Sequence, residues 1–141
     1  MEKTAISVLV IEDNPLEAAR VAGIINQFTD DITLVLTAER GLAIFKGALR
    51  LDRPFDLVVT DVLLPGMNGK DLLKEIRHIE KGLPGVCTKV IVVSADDPHR
   101  HLLEACREGA DCYLEKPLTK EKLETALAKT GLVKLTGATL P

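Results

Sequence analysis

The chain reads as an α/β protein built on a doubly wound parallel sheet of five strands with five helices. Three observations predict this. Short apolar runs alternate with amphipathic stretches five times, which favours a parallel sheet with helices on both faces. The runs are nearly continuous in aliphatic residues, as strands covered on both sides require. Capping side chains, prolines and glycines fall where the amphipathic stretches should start and stop.

The first strand is "ISVLVI", Ile6–Ile11. Asn14-Pro15 opens a helix, and Val21, Ile24, Ile25 and Phe28 continue it at helical spacing. "ITLVLTA", Ile32–Ala38, is the second strand, followed by a helix marked by Leu42, Phe45, Ala48 and Leu49. "FDLVVTD", Phe55–Asp61, is the third strand, and Leu72, Leu73, Ile76 and Ile79 stripe the third helix. "KVIVVSA", Lys89–Ala95, is the fourth strand. Leu102, Leu103 and Cys106 stripe a fourth helix that Gly109 ends. "DCYLEKP", Asp111–Pro117, is a short fifth strand. Thr119 caps a last helix outlined by Leu123, Ala126, Leu127 and Thr130, with Gly131 past its end.

A length of 141 residues suits one domain, expected over 1–130, with 131–141 as a tail or the start of a linker. The formal net charge is −3 with no basic stripe, which argues against direct nucleic-acid binding. The apolar runs are too short to cross a bilayer, and no signal peptide is recognisable. Cys87, Cys106 and Cys112 form an odd set without C-x-x-C spacing, so free thiols in a reducing cytoplasm are expected, not a disulfide framework or a zinc site. His78, His99 and His101 read as solvated helix residues.

Ligands of open parallel sheets bind beyond the carboxyl ends of the strands. There the first strand delivers Glu12 and Asp13, the third Asp61, the fourth Ser94, and the fifth Lys116 directly before Pro117. Each alone has a plainer reading as a turn, cap or surface residue. Together they form a far more specific set: three carboxylates, a hydroxyl and an ammonium on one rim. Close carboxylates repel and need a cation, and a few hard oxygen ligands suit magnesium. An aspartate beside such an ion and a lysine can attack phosphorus and form an acyl phosphate.

With "IED" (Ile11–Asp13), "TDVLLPGMNG" (Thr60–Gly69), "VVSA" (Val92–Ala95) and "YLEKP" (Tyr113–Pro117) in order, the sequence resembles the receiver domain of two-component response regulators from about Ser7 to Lys129. The resemblance implies the strand order 2-1-3-4-5. It implies that Asp61 is the phosphoacceptor and that Glu12, Asp13, Asp61 and the Leu63 backbone carbonyl hold Mg2+, with Mn2+ able to substitute. Lys116 would pair with Asp61 and then with the phosphoryl group, and the bond to Pro117 would be cis. Ser94 would bond a phosphoryl oxygen, Tyr113 would be the coupled aromatic switch, and Gly66 and Gly69 would allow the turn beyond the site. Leu63 and Asp96 would tune the phosphoryl lifetime, Leu63 by restricting water.

The implied function is a signalling switch that catalyses its own phosphorylation and dephosphorylation rather than a conventional enzyme. Its donor would be a sensor histidine kinase or a histidine phosphotransfer protein. Its target would be a downstream protein or an output domain not present in this chain, with phosphorylation-dependent dimerisation a further possibility. The output face would be formed by the fourth helix, fifth strand and fifth helix, with Arg100, Glu104, Arg107, Asp111, Glu115 and Lys122 as its charged rim.

The alternatives are a flavin-binding relative, a haloacid-dehalogenase-type phosphatase and a degenerate receiver acting only as a binding module. The first is disfavoured by acidic "EDNP" after the first strand and by the absence of tryptophan. The second needs an aspartate where Leu63 stands, and the intact rim set argues against the third. No G-x-G-x-x-G follows a strand, against a dinucleotide site.

Overall fold

The computed structural model describes residues 5–95 and 109–133. Along the chain these form β1 (Ser7–Ile11), α1 (Pro15–Ile25), β2 (Asp31–Val35), α2 (Ala38–Arg50), β3 (Leu57–Asp61), α3 (Gly69–Lys81), β4 (Lys89–Ser94), β5 (Cys112–Glu115) and α4 (Lys120–Lys129). The stretch expected to form a further helix after β4, with Asp96, His99, Arg100, His101, Leu102, Leu103, Glu104, Cys106 and Arg107, lies outside the described residues. So does 134–141.

The five strands are parallel in the order β2-β1-β3-β4-β5. Side chains of a strand alternate between faces, and the two cores follow that alternation. Val8, Val10, Leu57, Val59, Ile91 and Val93 pack with Val21 and Ile25 of α1 and Leu123 and Leu127 of α4. Leu9, Ile11, Val58, Val90 and Val92 pack with Phe45 of α2 and Leu72, Leu73 and Ile76 of α3. Burial on both faces explains why β1, β3 and β4 lack a polar alternation, whereas the edge strands β2 and β5 are only partly covered. Leu132 and Val133, beyond Gly131, still pack on the first core.

Local signals set the boundaries. Asn14 accepts from the amides of Leu16 and Glu17, and Pro15 occupies a position with no intrahelical amide partner. Thr37 accepts from the Arg40 amide and so starts α2. The second strand therefore stops at Val35 and does not run to Ala38, because Thr37 acts as a cap and Ala38 opens the helix. The fifth strand is likewise shorter than Asp111–Pro117. Asp111 is engaged by Arg77, and Pro117 has no amide to donate. α1 ends at Ile25, and Phe28 enters the core from the turn beyond it. Among the described residues no helix is long and apolar enough to cross a membrane.

Candidate functional site

Parallel strands point their carboxyl ends the same way, so the residues that terminate β1, β3, β4 and β5 meet on one rim. Glu12 follows β1; its amide donates to the Val35 carbonyl at 3.1 Å, and its Oε1 accepts from the Asn14 amide at 3.1 Å. Asp61 closes β3 and is 7% exposed, and Glu12 is 5% exposed. Lys116, just past β5, donates through Nζ to Asp61 Oδ2 at 2.8 Å and to Glu12 Oε2 at 3.1 Å. Its amide donates to the Ser94 carbonyl at 2.8 Å, which ties the end of β5 to the end of β4. Ser94 is fully buried. The Lys116–Pro117 peptide bond is cis.

Glu12, Asp13 and Asp61 each present an oxygen within 4.8 Å of the other two. Three carboxylates thus gather at one point, and the ammonium pairs with two of them, Glu12 and Asp61. Burial pushes the Glu12 carboxyl up to about 7, and repulsion from Asp61 adds to this. The Asn14 amide and Lys116 oppose the rise without cancelling it. Burial works against a charged Lys116, but its hydrogen bonds and attraction to Asp61 and Glu12 prevail and hold it above the ordinary lysine value. The site gains by accepting either a proton or a hard cation, and an all-oxygen donor set of this kind suits magnesium.

The loop after β3 wraps closely under Asp61. A Cβ at Gly69 would overlap the Asp61 carbonyl, so only glycine fits there. Gly69 also donates its amide to the Val62 carbonyl at 2.9 Å. Gly66 adopts φ +74°, a left-handed conformation, and Glu39 of α2 lies against it while accepting from the Met67 amide at 3.1 Å. Leu63 is half exposed at 50%. Tyr113 sits opposite Val92 in the sheet and packs on the α2–α3 side. Its hydroxyl is buried without a hydrogen-bond partner among the described residues.

The structure brings together Glu12, Asp13, Asp61 and Lys116, with Ser94 joined to Lys116 through the backbone. Two residues expected on the output rim make local contacts, and both stay exposed. Asp111 accepts from Arg77 at 2.8 Å, and the Lys122 ammonium turns back onto the carbonyls of Glu115 and Pro117. Of the residues that make supporting contacts, Asn14, Glu39 and Lys122, two have no motif to announce that work. Asn14 alone carried a signal, as a helix cap.

A family model described as the response regulator receiver domain matches residues 8–128. The nitrate/nitrite response regulator protein NarL of Escherichia coli strain K12 is 34% identical over 137 residues, covering 96% of this chain and 60% of NarL. The probable transcriptional regulatory protein TcrX of Mycobacterium tuberculosis is 33% identical over 134 residues, covering 95% of this chain and 52% of TcrX. The chain therefore spans between half and two thirds of the length of these two relatives. The two-component response regulator ORR41 of Oryza sativa subsp. japonica is 32% identical over 132 residues, covering 94% of this chain and 99% of ORR41. Among solved structures, the receiver domain of the histidine kinase CKI1 from Arabidopsis thaliana, complexed with Mg2+ and BeF3−, superposes with a TM-score of 0.79 at 26% identity, covering 89% of each chain.

Proposed function

The chain belongs to the response regulator receiver domain family, and from that premise we propose that it is a phosphorylation-dependent switch with Asp61 as its phosphoacceptor. The observation that carries this reading is the Lys116 ammonium, held 2.8 Å from Asp61 Oδ2 with Glu12 and Asp13 gathered around the same carboxylate.

An Asp61 oxygen attacks the phosphorus of a phosphohistidine on a sensor histidine kinase or a histidine phosphotransfer protein. The P–N bond breaks, its electron pair returns to the imidazole nitrogen, and that nitrogen is left neutral or takes a proton from water. Lys116 neutralises the attacking carboxylate before transfer and a phosphoryl oxygen after it. The Ser94 hydroxyl donates to a second phosphoryl oxygen. Reversal is hydrolytic: water attacks phosphorus, phosphate leaves, and the carboxylate is restored. Glu12, Asp13, Asp61 and the Leu63 carbonyl would hold Mg2+ or Mn2+, which when bound supplies positive charge to the transferring oxygens.

Phosphorylation adds charge and acceptors at the rim. Ser94 and Tyr113 lie on neighbouring strands and would pass the change to the face that β5 and α4 share with the helix expected after β4. The output is contact with a downstream protein or an output domain in the cytoplasm, with dimerisation through the same face. The switching unit is 1–130 together with Leu132 and Val133, which pack on its first core.

The test is an intact mass after incubation with magnesium and a small acyl-phosphate donor. The expected result is one added phosphoryl group, absent in Asp61→Ala and in chelator. A folded, magnesium-binding protein that gains no mass from this donor and none from a phosphorylated histidine phosphotransfer protein would overturn the reading in favour of a binding module.

A further inference from the structure

Lys122 stands in the first turn of α4, with its amide on the Thr119 hydroxyl at 3.1 Å. Counting from the Thr119 cap, this is the third helical position, where a glutamate or glutamine normally completes a capping box. A lysine there also faces the positive end of the helix dipole. A residue that violates both local preferences needs another use.

Its ammonium supplies one. Nζ donates to the Glu115 carbonyl and to the Pro117 carbonyl, both at 3.1 Å. These carbonyls lie on either side of Lys116. β5 is the edge strand of the sheet, and among the described residues no further strand takes the Glu115 carbonyl. Lys116 is thus fixed three ways: by its amide on Ser94, by its ammonium on Asp61 and Glu12, and by Lys122 gripping the backbone before and after it.

We propose that Lys122 is a positioning residue for Lys116, holding the backbone on both sides of it so that the Lys116 ammonium reaches Asp61 and Glu12. The inference rests on the phosphoacceptor reading of Asp61 for its kinetic consequence but not for its geometry. It differs from a rim role for Lys122, in which the side chain would face a partner and leave the site unaffected.

Two variants and two readouts test this. Lys122→Met keeps most of the stem and removes the cation, whereas Lys122→Arg keeps a cation able to serve two carbonyls. With an acyl-phosphate donor titrated in saturating magnesium, Lys122→Met should lower the maximal rate of phosphoryl uptake about fivefold with little change in half-saturation, because alignment and not donor binding is lost. Lys122→Arg should recover most of that rate. Without donor, amide exchange at Lys116 followed by NMR should quicken about tenfold in Lys122→Met while the amides of Leu123–Lys129 keep their protection.

Parent-like uptake together with parent-like exchange at Lys116 in Lys122→Met would overturn the proposal. So would equal loss in both variants accompanied by deprotection of α4, which would mark a merely structural role. A parent protein that takes up no phosphoryl group from this donor or from a phosphorylated histidine phosphotransfer protein, yet shows the selective change at Lys116, would defeat the phosphoacceptor reading and leave the positioning role standing.

Discussion

At the scale of single residues, Glu12 decides how the site responds to pH. Its carboxyl titrates near 7 in the folded protein because it is buried beside Asp61, against an ordinary value near 4.5 when unfolded. Between those values the folded state holds the extra proton, so the stability owed to this group is complete below the lower value and falls as pH rises towards the upper one. Glu12→Gln should therefore flatten the fall in metal-free stability between about pH 5 and 7 and raise stability near pH 8 by about 1 kcal/mol, measured by denaturant titration. An unchanged pH slope would show that Glu12 is not the titrating group. That Glu12, Asp13, Asp61 and Lys116 would meet on one rim was legible because charged groups that end apolar runs stand out. Glu39 and Lys122 were not, because their work is done on backbone carbonyls and amides that a sequence does not display.

Among the elements, strand cores and helix stripes could be read from periodicity, but edges could not. Thr37 is β-branched and lies in a run of apolar residues, so it reads as strand until its hydroxyl is seen to cap α2. Asp111 reads as a surface charge until Arg77 is seen to hold it. Arg77, on α3, donates to the Thr88 carbonyl at 2.7 Å, to the Gly109 carbonyl at 2.9 and 3.1 Å, to Glu80 at 2.7 Å and to Asp111 at 2.8 Å. One guanidinium therefore joins α3, the start of β4 and the approach to β5. An ammonium cannot occupy all these acceptors, so Arg77→Lys should destabilise the protein by about 2 kcal/mol in denaturant unfolding and deprotect the Asp111 and Val90 amides first. Loss of less than a few tenths of that would show that water replaces the brace.

For the molecule as a whole, alternation of element types was enough to predict a parallel sheet with two helical layers. The order of its strands was not: it entered by resemblance, and the sheet has that order. What no reading of periodicity contains is the work of assembly. Glu12 and Asp13 come from one end of the chain and Asp61 from its middle, and folding brings their oxygens within 4.8 Å of one another. Like charges driven together store energy, as on the plates of a capacitor, and a counter-ion discharges it. Melting temperature should therefore rise on adding millimolar magnesium, and rise more near pH 8 than near pH 6, where a proton already occupies Glu12. An equal shift at both values would break the link between proton and metal. If the link holds, the melting curve becomes a meter of the surrounding solution, and the protein's heat resistance records how full its site is.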